Sequence, residues 1–200
     1  MSSLDRRQFA LGALGASCVL LPTTSQAAGG PSNNADNHKM TFIDRLTSSS
    51  PASDRAEALA LYGWLNGEWE FDATVNLSDG TIYKGLGTIT ASWILAGRAL
   101  QDVWVLPQIY YGTTVRVYDP EIQAWRISWV DPYRGYYVQQ IGRAADGRIV
   151  QEGVDQRGVL RRWTFSNMAK DEFRWIGELR KAANETWQLQ SDYRARRIRR

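Results

Sequence analysis

The sequence predicts an all-β protein: an antiparallel up-and-down barrel of about ten strands, preceded by one short helix. Three observations predict it. From Glu68 onward apolar residues recur at every second position, the period of a strand with one dry and one wet face. Turn signals such as Ser78-Asp79-Gly80 and Ala145-Asp146-Gly147 punctuate these runs at near-regular spacing. A sheet with so many strands would expose unpaired edges unless it closed on itself, and closure is the simplest solution.

The elements follow in chain order. Asp54, with Glu57 three residues on, reads as a helix cap ahead of Ala56, Ala58, Leu59, Ala60 and Leu61; Gly63 and Gly67 end that helix. In the first strand Trp69, Phe71, Ala73, Val75 and Leu77 share one face, and Glu68, Glu70, Asp72, Thr74 and Asn76 the other. The next run, 81–95, is long and carries Gly85 and Gly87, which suit a strong bend. Strands at 100–106 and 113–118 lead to 124–130, where Trp125, Ile127 and Trp129 share a face. Runs at 136–142, 148–154, 160–165, 173–179 and 186–193 complete the series. Residues 54–197 thus fit one domain by size.

A short helix, then Gly67-Glu68-Trp69 opening the first strand, then a run of hairpins resembles the lipocalin-like (calycin) barrels over about 61–197. The resemblance implies that Trp69 closes the base of the barrel under an arginine from the end of the last strand. Arg194 or Arg196 would play that part, with Gly67, Trp69 and Arg194 the structural set. Ten strands rather than eight is closer to the fatty-acid-binding and nitrobindin-like branches. A nitrobindin-like barrel holds haem through a histidine inside the barrel. The only histidine here, His38, falls before the barrel, so a His-ligated haem is not expected.

The N-terminus has the three parts of an export signal: Arg6 and Arg7, an apolar run from Phe9 to Leu21, and Ser25-Gln26-Ala27 for peptidase cleavage. Arg6, Arg7 and Phe9 match the twin-arginine pattern, whereas Asp5, Ala10 and Leu11 depart from it. Residues 1–27 therefore read as a twin-arginine-type signal, the export machinery as a partner, and the mature protein as periplasmic or secreted. The apolar run is too short to span a membrane, so no stable membrane insertion is expected. Cleavage removes Cys18, the only cysteine. Residues 28–53, rich in Gly, Pro, Ser and Asn, read as a flexible linker. The tail "YRARRIRR" carries five arginines and accounts for the basic excess that the mature chain keeps. It reads as a frayed, solvated end, and no nucleic-acid partner is expected.

The chemistry available is mostly aromatic. With no histidine or cysteine in the barrel, a zinc or copper site, a Ser-His-Asp triad and a Cys-His pair all lack their residues, and no phosphate-binding loop or dinucleotide fingerprint appears. No metal and no cofactor is expected. Against this stand 9 Trp, 9 Tyr and 5 Phe, with Trp69, Trp125, Trp129, Trp163, Trp175 and Trp187 on the apolar phase of their strands, joined by Trp93 and Trp104. Plain core packing is the simplest use of each one; as a set they suit a lined cavity for a small apolar or aromatic molecule. Asp102, Arg161, Ser191 and Tyr193 share the inward phase, Asp131 and Asp155 fall near strand ends at the barrel mouth, and the direction of Arg116 stays open. Asp102 and Arg161 could pair, or the arginine could grip a ligand carboxylate. The candidate ligand-binding set is Trp104, Trp125, Trp129, Trp163, Asp102, Arg161 and Tyr193. The function this predicts is an exported small-molecule-binding protein. The alternative is a cofactor-independent isomerase, cyclase or hydratase using Asp and Tyr as proton carriers.

Overall fold

The computed structural model describes residues 40–199. The predicted signal, Cys18, His38 and the first part of the linker lie outside the described residues.

A short helix α1 (Phe42–Leu46), a two-residue strand β1 (Thr47–Ser48) and a 3-10 turn (Ser53–Arg55) lead into α2 (Ala56–Gly63). Ten strands follow: β2 (Gly67–Asn76), β3 (Ile82–Ile94), β4 (Ala99–Leu106), β5 (Tyr110–Asp119), β6 (Ala124–Asp131), β7 (Tyr136–Ala145), β8 (Arg148–Asp155), β9 (Leu160–Ser166), β10 (Glu172–Arg180) and β11 (Gln188–Arg199). Each pairs antiparallel with the next, and β11 returns to pair with β2, so the sheet closes into a ten-stranded up-and-down barrel. Closure leaves no free edge among these strands. β1 adds to the lower end of β3, pairing Thr47 with Ile94 and Ser48 with Trp93.

The alternating sequence sets the two faces. Along β2, Trp69, Phe71, Ala73 and Val75 are buried, while Asp72 and Asn76 are exposed. The same phase turns Ile89 and Ala91 of β3, Leu100 and Trp104 of β4, Ile127 and Trp129 of β6 and Phe173 of β10 into one core. α2 plugs one end. Its Tyr62 is fully buried and meets Trp125 at 4.9 Å and Phe165 at 6.3 Å, both edge-on. Trp64, just past the helix, meets Trp69, Phe165 and Phe173. The turns after β2, β4, β6, β8 and β10 gather at the other end, the mouth.

Glycines make room for the largest rings. A Cβ on Gly112 would collide with the Trp129 indole, and one on Gly87 with the Phe71 ring. A Gly112→Ala variant is expected to lose about 1–3 kcal/mol of stability by overpacking, read as a lower midpoint in urea unfolding.

Four expectations change. Asp54 is no cap: α2 begins after Arg55 with no side-chain cap, and Asp54 instead pairs with Arg98 at 3.1 Å. Residues 42–48, inside the expected linker, form α1 and β1, because Thr41 and Asp44 close a capping box and the lower end of β3 offers a pairing edge. The basic tail is not a frayed end. It is the second half of β11, with Tyr193 and Ala195 buried, and with Arg196 paired to Glu70 at 2.7 Å and to Asp72 at 3.0 Å. Finally, Trp187 is not on the inward face of Ser191, and neither is Leu189. A register shift opposite Gly177/Glu178 leaves Gln190 as an extra residue, so Leu189 turns outward. Trp187 lies outside, between the guanidinium groups of Arg162 and Arg180, each 4.4 Å from its ring.

Candidate functional site

The inward phase of the strands gathers aromatic rings from around the barrel. Trp175 stacks on Tyr193 (centroids 4.8 Å, 20°), and Tyr193 stacks on Phe71 (4.8 Å, 25°). Trp104 reaches Phe71 at 5.6 Å and Trp175 at 5.7 Å. Trp163 joins Trp175 at 5.7 Å and Trp129 at 6.1 Å, and Tyr110 meets Trp129 edge-on at 5.6 Å. All these separations fall in the range where aromatic pairs attract. Trp104, Trp129, Trp163 and Tyr193 of the predicted set therefore form one connected wall. Trp125 does not join it. Its strand starts at the plugged end, where it packs on Tyr62 and on Tyr118 at 6.0 Å.

Part of the wall is incompletely sealed. Trp163 and Trp175 face inward by register, yet both are only half-buried, as are Tyr110 and Tyr136. Arg161 sits among them. It donates to Asp155 from Nε (3.1 Å) and Nη2 (2.8 Å) and to Gln190 from Nη1 (2.7 Å), and its guanidinium lies 5.4 Å over the Tyr136 ring. The bulge that turns Leu189 out is what brings Gln190 into this cluster. Asp155 also accepts from the backbone N–H groups of Arg157 (2.9 Å) and Val159 (3.0 Å) and from the Tyr136 hydroxyl (3.2 Å). On the next strands Asp131 accepts from the N–H groups of Tyr133 and Arg134.

Burial pushes the Asp155 carboxyl up, but the hydrogen bonds from Arg161, Val159 and Arg157 outweigh it and hold the pKa below the ordinary 3.8. A group depressed on folding contributes stability that is complete above its unfolded pKa and is lost as pH falls through the folded value. Asp192, held down by the Arg174 hydrogen bonds, adds in the same direction. Unfolding free energy is therefore expected to fall as pH drops below about 4, and Asp155→Asn to flatten that limb. Thermal midpoints from pH 5 to pH 3 check this; parallel slopes for both proteins would contradict it.

Asp102 and Arg161 do not pair. Arg161 is at the mouth, whereas Asp102 lies deeper, fully buried, with its Oδ2 against Nη1 of Arg116. Arg116 points inward because Val115 and Val117 take the outer face, Val117 being exposed. The Thr114 N–H also donates to Asp102 (3.2 Å), and the Arg116 guanidinium lies 5.2 Å over the Tyr62 ring. Gln140 and Gln151, both buried, complete this polar layer; Gln140 Nε2 donates to the Gln151 carbonyl at 3.1 Å.

The base of the barrel uses a different arginine from the expected one. Arg197, not Arg194 or Arg196, lies over Trp69, 3.9 Å from its ring, and donates to the carbonyls of Asn66 (2.8 Å) and Trp64 (2.6 Å). Tyr193, Ala195 and Arg197 share the inward phase, so Arg194 and Arg196 face out. Gly67 holds a φ of 121°, a conformation that favours glycine, where the chain leaves α2 for β2.

Two surface grooves lie outside the lumen. One, about 420 Å³, crosses the outer face of β8–β10; its lining includes the Arg162–Glu178 ion pair and the apolar Val150 and Ile176. The other, about 590 Å³, runs between α2 and the plugged ends of β5–β7.

No protein-family model matches the chain, and no curated protein matches it. Among solved structures 14 chains match. One is the crystal structure of Rv2717c from M. tuberculosis, with a TM-score of 0.51 and 14% identity, covering 72% of this chain and 99% of that one. At that identity the likeness speaks for the barrel fold alone. A closed antiparallel barrel with many buried aromatic residues is compatible with binding a small ligand. No helix among the described residues is long and apolar enough to cross a membrane.

Proposed function

We propose that the protein binds a small, largely apolar or aromatic molecule inside the barrel, entering between Trp163, Trp175 and Tyr136. The observation that carries this reading is the pairing of inward direction with partial exposure at Trp163 and Trp175. Inward rings that serve only as core would be sealed, as Trp69 and Phe71 are. Flat aromatic walls suit flat guests, and the Asp155–Arg161–Gln190 cluster supplies a polar rim. Calorimetric titration with 2-methylnaphthalene tests it. Trp163→Ala is expected to weaken binding about tenfold while the protein stays folded, since the fully sealed rings of the core are untouched. Unchanged affinity in that variant would overturn the reading.

Residues 1–27 support an extension of it: export by the twin-arginine machinery, so that the ligand is met outside the cytoplasm. The N-terminal sequence of protein recovered from the periplasm is then expected to begin at Ala28. A chain that keeps Arg6 and Arg7 and stays in the cytoplasm would contradict this.

A further inference from the structure

Below Trp104 the barrel holds an unusual layer. Gln151 is 0% exposed, and neither its carboxamide oxygen nor its nitrogen has a hydrogen-bond partner. The Gln140 Oε1, the Arg116 Nε and the Trp104 Nε1 are likewise buried and unpartnered among the described residues. Each such group loses its bulk hydration on folding and finds no partner on the chain; left so, it costs about 1–3 kcal/mol, and native interiors keep very few of them. The groups are neighbours. Gln140 donates to the Gln151 backbone. Gln151 and the Tyr62 hydroxyl converge on Gly142. Arg116 lies over both Tyr62 and Phe165, and Phe165 is 6.5 Å from Trp104.

The charge of the layer decides what it can hold. Asp102 already neutralises Arg116, so an incoming carboxylate would bury a charge with no counter-charge left for it and would face the Asp102 carboxylate as well. The unpartnered atoms are instead a mixed set: one carboxamide offering both donor and acceptor, a further acceptor, two N–H donors, and the Tyr62 hydroxyl, which can do either. Their complement is a neutral group that presents a C=O and an N–H side by side.

We propose that this layer is a subsite for the carboxamide or lactam edge of an aromatic ligand, read by Gln151 with help from Gln140, Arg116 and Trp104. The inference rests on the barrel-binding reading above and adds the ligand's chemical class. The test compares 2-naphthamide, 2-naphthoate and 2-methylnaphthalene, which share one ring system, by titration against the full chain. 2-Naphthamide is expected to bind at least about tenfold tighter than the other two, a margin of one well-made buried hydrogen-bonded pair. Gln151→Met, of the same length but without polar side-chain atoms, is expected to erase that margin and leave 2-methylnaphthalene affinity unchanged. The free Gln151→Met protein is expected to melt no lower than the parent, since it loses only unpartnered polar atoms. Naphthoate binding as tightly as naphthamide, or a margin that survives Gln151→Met, would overturn the subsite and leave the barrel reading intact. If none of the three binds, both fall. Should Gln151→Met fail to fold, the three-ligand ranking in the parent protein and the shift of the Gln151 side-chain NH₂ resonance on adding naphthamide decide the matter alone.

Discussion

Asp102→Asn is expected to destabilise the fold by about 3–5 kcal/mol, the cost of leaving a buried guanidinium without its counter-charge. Arg116 is 1% exposed and Asp102 0%, so neither can reach water without local unfolding. The Arg116 cation would keep its contacts with the faces of Tyr62 and Phe165 and could still donate to a neutral carboxamide, but no negative charge would offset it. Replacing both members, as Asp102→Asn with Arg116→Met, should cost much less than the two single changes added together, because no lone charge remains. Urea unfolding of the four proteins of this cycle measures the coupling. Additive losses would mean that the pair is not the unit that holds the layer together.

The second large effect is at the plugged end. Trp69→Ala removes a fully buried indole that packs on Trp64 and Phe173 and that donates from Nε1 to the Leu65 carbonyl at 2.8 Å. A loss of about 3–5 kcal/mol is expected. Arg197 covers the other face of that ring and ties down two carbonyls between α2 and β2. Arg197→Lys keeps the charge but loses the planar fork that stacks and donates in two directions, so it should still destabilise measurably. Arg194→Lys, on the exposed outer face, should not. Thermal midpoints of the three variants check the ranking; equal shifts for Arg194→Lys and Arg197→Lys would return the closing role to an open question between them.

The strands were legible because alternation is a local signal: each of β2 to β11 announces its dry face in its own residues. The mouth was partly legible for the same reason, since Asp131 and Asp155 stand at strand ends and Arg161 and Trp163 share a phase. Pairing across the barrel was not. Which acid meets Arg161 depends on which strands adjoin: β8 lies beside β9 and supplies Asp155, whereas β4 lies beside β5 and gives Asp102 to Arg116. Trp125 shows the same limit from another side. Its phase is right, but height along the barrel depends on where β6 begins, and that puts it at the plug. The bulge at Gln190 has no side-chain signature and inverted the reading of Trp187. The tail misled because five arginines suggested a solvated end, while the acids that receive Arg196, Glu70 and Asp72, sit more than 100 residues earlier. Gln140 and Gln151 carried no signal beyond being inward polar residues.

The central claim is that a small aromatic molecule enters at the mouth and lies against the upper wall. The nine tryptophans make it directly measurable, because each indole N–H gives its own resonance. Adding 2-methylnaphthalene to the labelled protein is expected to shift Trp163 and Trp175 most and Trp129 and Trp104 next. Trp64, Trp69 and Trp125 at the plugged end should stay in place. Shifts confined to the plugged end, or no shifts at saturating ligand, would contradict the account.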